Sequence, residues 1–182
     1  MAIKPVSLPA DITGAAASSL RSLASAVGSA LVGDVPVEEL ELVAPHRVYT
    51  LPFSAIRGEG LAAATFAAWR FLIVAGDRVL GSAEVPADGG AANVNTGPFA
   101  RATAEAIDRI EELPEVRAGA PELRILKISA LYLVAVWLVG DPQLVIPLAP
   151  APRFVTAGQA YTEAAFLDAL SQPGVRPFSS PR

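Results

Sequence analysis

Histidine occurs once in this chain, at His46, within Ala44-Pro45-His46-Arg47. A lone imidazole titrates near neutral pH and is the first side chain to consider as a general base. The nearest hydroxyl of interest, Ser54, follows Pro52-Phe53 rather than sitting in the Gly-x-Ser-x-Gly of a strained nucleophile elbow. Nothing marks a third group to orient the imidazole, so the ordinary reading is a surface or capping histidine at the start of a strand. Among carboxylates, Glu84 falls on a β-rich run. There it is either an exposed strand residue, the commoner case, or a group directed into a sheet cavity. Glu38, Glu39 and Glu41, and then Glu111, Glu112 and Glu115, read as solvated runs. With no cysteine, one histidine and no Asp-x-Asp calcium loop, neither a metal nor a cofactor is expected. The stretch from Gly89-Gly90 to Gly97, just before a helix, has the outline of an anion cradle. It lacks the spacing and lysine of a P-loop and reads as a connector. Trp69 and Trp137 suit a pocket or an interface, although aromatic residues on strands more often pack in the core.

Composition narrows the partners. The formal net charge is −4, and no two Lys or Arg residues are adjacent. A nucleic-acid partner is therefore not expected, since phosphate neutralisation calls for a basic face or run. Arg outnumbers Lys twelve to two, and with abundant Ala, Gly, Pro and Val this has the look of a GC-rich bacterial genome. Cysteine-free composition fits a cytoplasmic setting. The three most apolar stretches are 12–33, 61–75 and 128–140. They are respectively too polar, interrupted by Arg70, and shorter than the roughly 20 residues of a spanning helix. No transmembrane segment is expected, and no signal peptide.

The elements that must position these residues follow from periodicity. Residues 1–10, with Pro5 and Pro9, predict an extended arm. Leu20, Leu23, Ala24, Val27 and Leu31 form a helical stripe over about residues 15–32, stopped by Gly33-Asp34. Residues 39–53 predict one or two strands broken by Pro45. Trp69–Val74 and Val79–Val85, joined at Gly76-Asp77, predict a β-hairpin. Pro98 opens a helix with Phe99, Ala102, Ala106, Ile107, Ile110 and Leu113 on its buried side. Residues 123–128 and 131–139 predict strands, and 144–148 a return strand. A short helix begins at Thr162-Glu163. Ser171–Arg182, with three prolines, reads as a flexible tail beyond a single domain over 11–170.

The order of these elements predicts an α+β class, a curved antiparallel sheet built from hairpins flanking a central helix. In layout it resembles cystatin-like and nuclear-transport-factor-like folds, with no motif carrying the likeness. The strand from Leu131 alternates Leu131, Leu133, Ala135, Trp137 and Val139 with Tyr132, Val134, Val136 and Leu138, so both faces need cover from helices or from another subunit. That apolar excess makes a non-enzymatic protein-interaction or assembly module the first expectation. It would be a homo-oligomer or bind a protein partner through Leu20, Leu23, Val27, Trp69, Tyr132 and Trp137. The alternative is a small-ligand-binding cavity protein, or a cavity-type enzyme, using His46 or Glu84.

Overall fold

A computed structural model of the chain describes residues 3–4, 6–27 and 35–178; the side chains at positions 10, 23–27, 115 and 118 lie outside that description. The hairpin forms where the sequence predicts it. Strands β2 (Thr65–Ala75) and β3 (Arg78–Pro86) pair antiparallel, and Gly76 supplies the positive φ of the turn, +54°. Strand β1 (Glu41–Thr50) pairs antiparallel with β2 and parallel with β5 (Glu122–Ile128). With β4 (Asn93–Asn95), β6 (Leu133–Val139), β7 (Leu144–Pro147) and β8 (Tyr161–Thr162), these strands make one eight-stranded sheet, ordered β4-β3-β2-β1-β5-β6-β7-β8. The α+β class holds, with one parallel pair inside an otherwise antiparallel sheet.

Pro45 does not break β1. The register shifts between Val43 and His46, and Ala44 adopts φ +50°. A bulge of this kind accommodates a residue that cannot donate to the ladder.

Helices cover both faces. On one face α1 (Ala10–Val27) lays Ile12, Ala16 and Leu20, spaced by four, onto the inner residues of β2 and β3, including Trp69, Phe71, Ile73, Ala83 and Val85. The helix starts earlier than its stripe predicts, directly after Pro9, whose carbonyl accepts the Ile12 N–H. Its expected stop at Gly33-Asp34 lies outside the described residues. Beside it α4 (Glu163–Ser171) is capped by Thr162, whose hydroxyl accepts the Ala165 N–H, and buries Phe166 and Leu170. On the other face α2 (Pro98–Ile110) begins at Gly97 with Pro98 in its first turn and packs Ala106 and Ile110 onto the sheet. Pro114 follows that helix and opens a short one, α3 (Pro114–Gly119).

Strand β6 shows how the two faces divide. Leu133, Ala135 and Trp137 pack in the core shared with Phe166 and Leu170, while Val134, Val136 and Leu138 pack in the core shared with Ala106 and Ile110. The chain's own helices therefore supply the cover that this strand requires. Leu131 and Tyr132 leave the strand. Ser129–Leu131 form a 3-10 turn that ends at Tyr132 with φ 50° and ψ 40°. The stretch expected as a flexible tail is anchored as far as it is described: Val175 is buried in the core and the Phe178 N–H donates to Ala130 O at 2.6 Å. No helix among the described residues is long and apolar enough to cross a membrane.

Candidate functional site

Arg70 interrupts an otherwise apolar strand, Trp69-Arg70-Phe71-Leu72-Ile73, and the sheet decides where its charge goes. His46 on β1, Arg70 on β2 and Glu84 on β3 are cross-strand partners in one row, so their side chains share a face. Glu84 Oε1 accepts from Arg70 Nε at 2.6 Å and pairs with Nη2 at 2.5 Å. Glu84 Oε2 accepts from Lys127 Nζ, on β5, at 2.5 Å. Three strand spacings would hold Glu84 and Lys127 roughly 14 Å apart in a flat sheet. The sheet must therefore curl toward this face.

The curl encloses a cleft of about 290 Å³. Arg70, Ser82 and Lys127 line its polar side, with Asn95 of β4 and Ser129 at the rim. Phe99 in the first turn of α2, together with Tyr132, Leu133 and Val134, lines the rest. Two cations face one carboxylate, leaving a net charge of one positive. Arg70 is only 4% exposed, and its Nη1 is buried with no hydrogen-bond partner among the described residues. A buried, unpartnered guanidinium nitrogen is costly unless a ligand or neighbour satisfies it. Burial alone would raise the Glu84 pKa, but the charges of Arg70 and Lys127 and their hydrogen bonds outweigh it and hold the carboxyl below its ordinary value. The commoner expectation for Glu84, an exposed strand residue, is thus corrected: it is a partly buried bridge between two cations.

His46 also departs from expectation. It is 6% exposed rather than a surface residue, and its Nδ1 is buried without a partner among the described residues. Burial first, and the Arg70 charge second, lower its pKa from 6.5 to about 4. The imidazole is neutral at neutral pH. Ser54 does not join it: that residue is exposed, in a 3-10 turn whose Ile56 packs in the core on the opposite face.

The residues expected as an interface are dispersed. Trp69 and Trp137 are buried on the face opposite the cleft, in a row that runs Trp69–Arg47–Arg124–Trp137 across four strands. There Arg47 stacks on Trp69, and Arg124 on Tyr49 and Trp137, while Glu122 pairs with both arginines. Leu20 is core beneath α1; the side chains of Leu23 and Val27 lie outside the described residues. Only Tyr132, 64% exposed, stands at the cleft. The expected cradle before α2 is taken up internally, because Gly97 N–H donates to Asn95 Oδ1 at 2.6 Å and β4 occupies part of the loop. No group of three or more metal-ligating side chains lies among the described residues. Arg70 and Lys127 were not singled out from sequence. A charged residue within an apolar strand, and one of only two lysines placed in another, were the signals that could have marked them.

Fold and cleft together define the class: an α+β domain with an open, curled sheet, helices on both faces and a small cationic cleft on one. No known protein-family model, curated protein or solved structure matches the chain.

Proposed function

We propose that this is a small-ligand-binding domain whose cleft holds an anionic group against Arg70 and Lys127. One observation carries the reading: Arg70 and Lys127, two cations that share the single carboxylate of Glu84, both line the cleft. Glu84, one of the two residues that the sequence singled out for a cavity function, fixes both cations. The other, His46, lies beside Arg70 in the neutral state and adds no competing charge at neutral pH. The reading is one of binding because the charged groups of the cleft, Arg70, Lys127 and Glu84, are held to one another by ion pairs. A bacterial, cytoplasmic setting belongs to the same proposal and rests on composition.

Acetate is the simplest probe. Titrated into the ¹⁵N-labelled protein, it is expected to shift the Arg70 Nε–H resonance saturably, and Lys127→Met is expected to weaken that response several-fold. A flat titration with acetate and with inorganic phosphate would remove the reading.

A second reading, association with another protein or a second copy, is favoured by one observation. Among the described residues the two most exposed large hydrophobic side chains, Phe178 (79%) and Tyr132, belong to segments joined at the 129–132 turn by the Phe178–Ala130 hydrogen bond.

A further inference from the structure

The lining of the cleft is of two chemical kinds, and that division narrows the ligand. Arg70 and Lys127 share Glu84 and leave a single positive charge uncompensated. One carboxylate neutralises it. A dianion would leave a negative charge beside Glu84 in a partly desolvated site, where unpaired charge is costly. In the apolar part of the lining the Phe99 and Tyr132 rings lie 5.6 Å apart and tilted by 55°. Tyr132 holds that position from a left-handed backbone conformation that a non-glycine residue adopts only at a cost. Despite this fixed backbone its side chain stays largely exposed, so a flat group laid against it would bury apolar surface that the fold leaves in water. The volume, about 290 Å³, sits at the small end of ligand pockets and suits a single ring with its carboxylate.

We infer that the ligand is a monocarboxylate bearing one flat apolar ring, its carboxylate on Arg70 and Lys127 and its ring against Tyr132. This rests on the cleft being an anion site, as proposed above, and the two can fail separately.

Benzoate, acetate and phenyl phosphate, titrated calorimetrically into the full chain, separate them. Benzoate is expected to bind about tenfold more tightly than acetate, the size of gain an aromatic contact supplies, and phenyl phosphate no more tightly than benzoate. Tyr132→Phe is expected to preserve the benzoate-to-acetate ratio. Tyr132→Asn, which accepts the left-handed backbone, is expected to bring the ratio close to one. Equal affinities for benzoate and acetate in the wild-type protein would overturn the inference and leave the anion site standing. So would tighter binding of phenyl phosphate. Failure of all three probes would overturn the anion site and the inference with it. The wild-type comparison decides the matter even if a variant does not fold.

Discussion

Arg70 lies between a neutral imidazole and an ionised carboxylate, and each neighbour gives it a separate pH signature. The folded-state pKa of His46, about 4, lies below its ordinary 6.5. Between those values the unfolded chain binds the proton and the folded chain refuses it, so stability rises with pH across this window. The contribution is fully present above about pH 6.5, falls as pH drops toward 4, and amounts to about 2 kcal/mol lost between neutrality and pH 5. Urea unfolding at a series of pH values should trace that decline, and His46→Leu should flatten it; an unchanged slope in the variant would mean that another group is responsible. Glu84 acts at lower pH. Its pKa is depressed, so its stabilisation persists above the ordinary carboxylate value and is lost as pH falls further. Removing its charge at neutral pH is a sharper test. Glu84→Gln leaves the buried Arg70 without its counter-ion and should cost about 2–4 kcal/mol. Glu105→Gln breaks only the exposed pair with Arg109 and should stay within about 0.5 kcal/mol. Equal losses from the two would deny Arg70 and Glu84 any special role.

Strand β4 reaches the cleft because Gly81 lets it come close. A Cβ added at Gly81 would lie 2.8 Å from the backbone oxygen of Asn95, so Gly81→Ala must displace β4 and with it a rim residue of the site. A loss of about 1–3 kcal/mol is expected, together with weaker binding of whichever anion the cleft accepts; a variant as stable as the wild type would show that β4 yields freely. The C-terminal segment gives a second contrast. Val175→Ala should lower stability by about 1–2 kcal/mol because it empties a core position. Phe178→Ala, at an exposed side chain, should change it by less than about 0.5 kcal/mol. These elements also show what the sequence made legible. The Gly76-Asp77 hairpin, the Pro98 helix and the Thr162-capped helix rest on local turn and capping chemistry and could be read directly. The parallel pairing of β1 with β5 could not, because the two strands lie far apart in the chain and only their packed faces bring them together. The cleft was half legible. Glu84 stood out as a carboxylate on a strand, but its partners Arg70 and Lys127 meet it only through cross-strand register and curl. His46 was misplaced for a related reason: Pro45 suggested a strand end, whereas the bulge carries β1 through and buries the imidazole.

Across the molecule as a whole, one chain covers both faces of its central strands. The apolar faces of β6 are met by α2 and α4, so the pressure toward association that this strand would exert in isolation is relieved within one chain. A monomer mass by light scattering at micromolar concentrations is the expected result. A dimer dissolved by Phe178→Ser would instead transfer the function to the turn that carries Tyr132 and Phe178. Whatever the outcome, the outer borders of the sheet restrict the manner of any meeting between copies. They are β4, three residues long, and β8, two residues long and running straight into α4. An incoming strand would find only a few backbone groups at either border. At β4 and β8 an added strand or a growing fibril would therefore gain few backbone hydrogen bonds, although the chain's apolar content is high. A partner that meets the molecule at β4 or β8 would then be held mainly by side chains, and the specificity of that contact is written in the residues themselves rather than in the backbone.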